Sequence, residues 1–158
     1  MNVGFPTEKG KMTDLEIAET LCKHFEAFRS KPYLCPAGVA TIGFGTTRYP
    51  DGTPVTLEDS EITLEYAEAM LERELREVCL VAVLKFCPKL TDTNKINALV
   101  DFVYNLGAGR LQTSTLRRKV NDEDWAAAQT EINRWVRGGG VILKGLVIRR
   151  QAESLLLN

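Results

Sequence analysis

No stretch of the 158 residues reaches the roughly 18 to 20 consecutive apolar positions that a membrane-spanning helix needs, so nothing in the chain reads as inserted in a bilayer. The opening "MNVGFPTEKGKM" contains neither a long apolar core nor a small-residue cleavage site. No secretory signal is visible in it, and synthesis in a cytoplasm is the expectation. Histidine occurs once, at His24, and the four cysteines (Cys22, Cys35, Cys79 and Cys87) lack both CxxC spacing and a histidine cluster to work with. A zinc site is therefore not expected. Internal repeats, low-complexity tracts and long polar linkers are missing as well. An apolar content of 44% over this length suits one compact domain or two small lobes sharing a chain.

Neither sign of charge dominates, but the net −1 hides an asymmetry. Residues 1–85 carry nine Lys/Arg against fourteen Asp/Glu, and residues 86–158 carry eleven against seven. The cationic second half would favour an anionic polymer. Nucleic acid is not the expected one: the basic cluster "LRRK" at 116–119 has no aromatic stacking pattern beside it and reads as a solvated helix face.

What is present is mostly helical periodicity. Thr13 followed by Glu16 forms a capping-box pattern ahead of apolar residues at 15, 18, 22 and 25, which predicts a helix over about 14–29. From Tyr33 to Val55 short β-prone pieces alternate with Gly38, Gly43, Gly45, Pro50 and a "PDG" turn, the pattern of a small antiparallel meander. Thr63 then caps a helical pattern that runs to Pro88 and is long enough to connect two lobes. Further helices are predicted over about 93–106, 113–120, 123–137 and 146–156. Mostly α with a β insertion after the first helix, such an architecture leaves a cleft where its lobes meet.

The stretch "HFEAFRSKPYLCPAGVATIGFG" places a carboxyl group, Glu26, beside Phe25 and Phe28 where the first helix hands over to the sheet. Glu26, eight residues, Cys35, five residues, Thr41 reproduces the spacing Glu, eight, Asp or Cys, five, Thr of the phage-type lysozymes, the family-24 glycoside hydrolases. "FEAFRSKPYLCPAGVATIGFGTT" resembles their catalytic helix and β-hairpin, "ALVDFVYNLGAGRLQTSTLRRKVN" their central buried helix and following turn, and "INRWVRGGGVILKGLVIRRQAESLL" their C-terminal segment. The likeness covers about 13–156.

The resemblance implies an α+β, mostly α, lysozyme-like two-lobed fold. After an N-terminal extension (1–12), a single domain (13–158) would comprise a small antiparallel β-meander lobe (about 30–62), a long connecting helix (about 63–86) and a helical lobe (about 87–158). It also implies a muramidase that cuts the β-1,4 bond between N-acetylmuramic acid and N-acetylglucosamine of peptidoglycan, with inversion, as a monomer and without metal or cofactor. Glycoside hydrolysis needs a protonated carboxyl to protonate the leaving oxygen and a second group to guide water to the anomeric carbon. Glu26, kept protonated by its apolar neighbours, fits the first role. Cys35 stands where the second carboxylate usually stands, and Thr41 offers a hydroxyl to a water.

The same resemblance places Thr47, Tyr104, Thr115 and Gln129 along the sugar cleft, and it brings Arg149 to Glu26, although sequence alone does not separate Arg149 from Arg150. Two departures stand out: Thr46 where many members have histidine after the "TIGFG"-like strand, and Cys35, with a reference pKa of about 8.5, in place of the commoner aspartate. His24 lies two positions before Glu26, about 200° around the helix, and so faces away from the site. Trp125 and Trp135 read as core anchors of the helical lobe. Biologically the pattern points to a phage or prophage endolysin reaching the wall through a holin-made lesion. A tail- or secretion-delivered lysozyme domain and a catalytically silent wall-binding module are the alternatives.

Overall fold

The computed structural model describes residues 13–158; the N-terminal extension expected over 1–12 lies outside the described residues. The described residues fold mostly as helices, with two small antiparallel two-stranded sheets. Its centre is helix α4 (Thr93–Leu106), buried without interruption from Ile96 to Val103. That helix is apolar on nearly every side, the composition of an element surrounded by others. Asp92 caps it, its side chain accepting from Lys95 N at 3.0 Å.

Helix α1 (Glu16–Glu26) packs on α4 and contributes Leu15, Ala18 and Cys22 to the main core. The expected Thr13/Glu16 capping box is not formed, because Leu15 occupies the N-cap. Other groups satisfy the open amides of the first turn: Glu16 N donates to Asp14 Oδ1 (2.8 Å), and Ala18 N donates to Asn97 Oδ1 of α4 (2.8 Å). The helix also stops three residues short of the predicted 29. Ala27 lies at φ 54°, ψ 148°, a left-handed geometry that costs a non-glycine residue about 1–3 kcal/mol. Glu26 is thereby the last helical residue.

Strands β1 (Arg29–Leu34) and β2 (Ala40–Gly43) form an antiparallel hairpin that pairs Tyr33 with Thr41 and Leu34 with Ala40. Its register shifts between Arg29 and Tyr33. The predicted meander beyond it reduces to isolated bridges, Ile42 to Thr46 and Arg48 to Pro54, because glycines and prolines recur too closely for further strands. Ile42, Val55 and Met70 make a separate small core here.

Helix α2 (Leu64–Glu74), capped by Thr63, continues through a π-helical turn (Leu75–Cys79) into α3 (Leu80–Phe86). The wide turn has a visible cause. Buried Ala67, Leu71, Leu75, Cys79, Val83 and Cys87 recur every four residues, and on a regular α-helix such a stripe drifts about 40° per step. A turn that takes more residues per revolution cancels part of the drift and keeps the stripe on α4.

The rest of the helical lobe comprises α5 (Ala108–Gln112), which has no counterpart in the sequence reading, α6 (Thr115–Asn121), α7 (Trp125–Ile132) and α8 (Lys144–Leu156). Helix α7 ends five residues before the predicted 137. The "GGG" run is not its terminator: Gly138 ends β3 (Arg137–Gly138), and Gly139 and Gly140 turn a two-residue hairpin into β4 (Val141–Ile142). Trp125 and Trp135 are half-buried against the main core, Trp135 edge-to-face on Phe102 at 5.6 Å. His24 is exposed.

Candidate active site

Glu26 ends α1 between two recesses. A cleft of about 560 Å³ lies between the small lobe and the connecting helix, with Gly45, Thr46, Thr47 and Tyr104 in its lining. A smaller recess of about 350 Å³ is lined by Glu26 itself with Phe25, Asn105, Leu143, Leu146 and Arg149. Gly45 separates the two sides. Its φ is +87°, a conformation that demands glycine, and a Cβ there would come within 2.8 Å of Glu26 Oε1 and push the carboxylate aside.

The setting of the carboxylate is more polar than its phenylalanine neighbours imply. Arg149 Nη1 donates to Glu26 Oε2 at 2.6 Å, and the guanidinium lies 5.4 Å from the Phe25 ring centre. Asp101 of α4 grips the other edge of the guanidinium: Nε donates to Oδ2 at 2.8 Å and Nη2 to Oδ1 at 2.7 Å. Burial works against the charge on Arg149, but the Asp101 hydrogen bonds and the charges of Asp101 and Glu26 outweigh it and push the guanidinium pKa up. Cys22 adds its thiol, donating to Asp101 Oδ1 at 3.2 Å; burial and then the Asp101 charge push that thiol up.

The next residue, Arg150, points elsewhere on α8. It is buried over Phe102 (5.3 Å) and donates to Asn105 Oδ1 at 2.5 Å. Its Nη2 also stands 3.0 Å from Glu153 Oε1, without the geometry of a hydrogen bond. Burial, then the charge of Asp101, raise the Glu153 carboxyl well above the usual range, with Arg150 and Arg149 opposing. The stability consequence follows by linkage. Folded Glu153 holds a proton that the unfolded chain releases above about pH 4.5, so the native state loses stability as pH rises from there towards the folded-state value. Glu153→Gln removes this loss. The variant is expected to melt at or near the wild-type temperature at pH 4 and a few degrees higher at pH 8. Melting curves across that range check it, and parallel curves would exclude a proton on Glu153.

Across the hairpin, Cys35 opens the "CPAG" turn, with Gly38 N donating to its carbonyl at 2.8 Å. The backbone amide of Val39, and after it the Ala37 amide, favour the Cys35 thiolate and lower its pKa despite slight desolvation. Thr41 is buried, and its hydroxyl donates to Val39 O at 2.9 Å. Tyr33 links the two sides: its hydroxyl is pushed up by burial, then by the Glu26 charge, with Arg29, 4.2 Å over its ring, opposing and Cys35 adding a smaller push. Cys22, Cys79 and Cys87 are buried and all four thiols are free. Brief treatment with iodoacetamide is therefore expected to modify Cys35 alone, checked by peptide mass mapping.

Two of the residues expected along the sugar cleft are held by hydrogen bonds outside the lining of the larger recess. Thr115 starts α6, where its Oγ1 accepts from Arg118 Nη2 at 3.1 Å, and Gln129 ties α7 to α8 by donating to Ser154 O at 2.9 Å. Neither lines the cleft. Thr47 and Tyr104 do line it, Tyr104 donating to Phe44 O at 2.5 Å across the lobes. Sequence reasoning missed Asp101, although a lone acid inside the apolar "ALVDFV" was the available signal.

A carboxyl at the end of a helix, gripped by a buried arginine at the edge of a cleft between a small β-hairpin lobe and a helical lobe, belongs to a glycosidase of lysozyme fold. Residues 23–153 match the family model described as Phage lysozyme, and the chain belongs to that family. It is 36% identical over 140 residues to an endolysin of Acyrthosiphon pisum secondary endosymbiont phage 1, covering 86% of this chain and 91% of that one. A SAR-endolysin of Bacteriophage PS119 is 35% identical over 128 residues, covering 81% and 73%. The solved endolysin from Escherichia coli O157:H7 phage FAHEc1 superposes with a TM-score of 0.82 at 30% identity, covering 97% of this chain and 96% of that one. The activity is that of a lysozyme, a muramidase acting on peptidoglycan.

Proposed function

We propose that the chain is an endolysin for host lysis and that Glu26 is its general acid. The proton on Glu26 passes to the glycosidic oxygen as the bond from that oxygen to the anomeric carbon breaks. Water attacks the same carbon from the opposite face, giving up its proton to the Cys35 thiolate, with the Thr41 hydroxyl helping to hold it. The product inverts configuration, solvent returns a proton to Glu26, and Cys35 gives the proton it took from water back to solvent. As Glu26 becomes a carboxylate, Arg149 stabilises it, and Asp101 keeps Arg149 in place. The observation that carries this reading is Glu26 at the junction of two recesses, one oxygen on Arg149 and the other facing Gly45.

Within this reading residues 13–158 act as one monomeric lysozyme domain, the scissile bond is the β-1,4 link after N-acetylmuramic acid, and nucleic acid is no partner. Thr47 and Tyr104 contact glycan, and Cys35→Asp restores a carboxylate that supports turnover where Cys35→Ala does not. The test is a turbidity assay on purified peptidoglycan with mass analysis of the released ends and proton NMR of the first product. Muramic reducing ends and the α-anomer are expected. An initial β-anomer overturns inversion, and binding without new ends favours the silent wall-binding module. For release we favour a holin-made lesion from the cytoplasm. The SAR-endolysin names of several relatives set a second route beside it, signal-anchor release. Lysis on expression in a host without a holin would decide for the second.

A further inference from the structure

Four charged side chains stand in the wall of the larger cleft: Arg48, Arg73, Glu74 and Glu77. Three have protein partners. Arg48 donates to Gly52 O at 2.9 Å, and Arg73 donates to Pro50 O at 2.9 Å while pairing with Glu77 at 2.5 Å. Glu74 has neither a hydrogen bond nor an ion pair among the described residues. Its side chain is exposed in the cleft wall, open to a ligand; desolvation pushes the carboxyl above the ordinary range, only the Arg73 charge opposes this, and no protein donor stabilises the ionised form. The neighbours do not supply one. Tyr104, close enough for its hydroxyl to feel the Glu74 charge, spends its proton on Phe44 O, and the Cys79 thiol is buried. Glu74 ends α2 where the π-helical turn begins, and that turn carries Glu77, Val78 and Cys79 into the same wall.

An ionised carboxylate only accepts, and an unpaired one seeks a donor, best a cationic one. Hydroxyls occur at every sugar of a glycan strand and select nothing. Protonated amines are sparser and carry the complementary charge. Resting on the assignment of this cleft to the glycan, we propose that Glu74 is a specificity-determining residue that receives a protonated amine of the wall polymer. Two sources share that chemistry: the C2 amine of an N-deacetylated amino sugar and a side-chain amine of the stem peptide.

The experiment compares wild type with Glu74→Gln, which keeps the shape and removes the charge, on three polymers. These are glycan strands stripped of stem peptides and fully N-acetylated, the same strands partly N-deacetylated, and intact peptidoglycan before and after amine capping with acetic anhydride. Cosedimentation measures binding, and the release of reducing ends gives KM and kcat separately. Wild type is expected to bind amine-bearing polymer about tenfold more tightly than its acetylated counterpart, as a charge-assisted hydrogen bond allows, with the difference in KM rather than kcat. In Glu74→Gln the ratio falls to near one, with melting temperature as the folding control. A preference on the stripped strands identifies the sugar amine, and one confined to intact peptidoglycan identifies the peptide amine. Equal ratios in wild type and Glu74→Gln overturn the proposal. Because cosedimentation needs no turnover, loss of cleavage with the preference retained would count against the muramidase assignments and not against Glu74.

Discussion

Glu26→Gln is expected to lower the rate of peptidoglycan lysis by at least about a hundredfold, the scale of losing a general acid, in a protein that still folds. The amide oxygen can still accept from Arg149 Nη1, and Asp101 retains its two-point grip on the same guanidinium, so the buried network survives the change. What disappears is the transferable proton. Turbidity clearance measures the rate and a thermal melt supplies the folding control. A folded variant that lyses within a few-fold of wild type would remove Glu26 from the reaction.

Asp101→Ala is expected to cost the most stability of any single change in this site. It leaves Arg149, whose side chain is only 3% exposed, with Glu26 as its one remaining carboxylate. Breaking a buried ion pair from one side costs roughly 3–5 kcal/mol. At this size that is a fall of about 10 °C in melting temperature. Cys22 loses the acceptor for its thiol in the same substitution. Lysis should fall with stability, because the guanidinium that stabilises the Glu26 carboxylate is no longer aimed at it. Asp101→Asn, which keeps the shape and one acceptor, should sit between. Calorimetry alongside lysis assays at a temperature where all variants are folded separates the two effects. A melt within 2 °C or so of wild type for Asp101→Ala would mean that Glu26 and the surrounding packing hold Arg149 unaided.

Local pattern made α4 readable to the residue: Asp92 caps it, and Gly107 closes it at φ +96°. The handover from helix to hairpin was legible only in outline, through Pro32 and the glycine-spaced strand after it: the helix ends at Glu26 and not at 29, because Ala27 leaves it at positive φ and Pro32 already lies in β1. Features set by distant partners were not legible. The start of α1 is completed by Asn97, and the π-helical turn is imposed by the stripe it keeps on α4. Arg149 and Arg150 read alike in sequence and differ only by the 100° between consecutive helical residues. That rotation sends one to Glu26 and the other to Asn105. Asp101 was overlooked because one acid in an apolar helix acquires its meaning from the arginine it faces, 48 residues on.

The chain order of the Glu26–Arg149 pair has a consequence during synthesis. Its two halves are 123 residues apart, on the first and last helices of the described chain, and α1 has its seat on α4 and α8. A ribosome delivers α1 first and α8 last. While the middle of the chain is being made, the apolar face of α1 has no lasting partner, and the carboxyl of Glu26 has no guanidinium to meet. Closing a loop of that length carries an entropic cost that is recovered only once the core can assemble. A truncated chain that carries Glu26, the whole hairpin and the connecting helix but stops before α8 is therefore expected to leave peptidoglycan uncut, which a turbidity assay on that fragment checks.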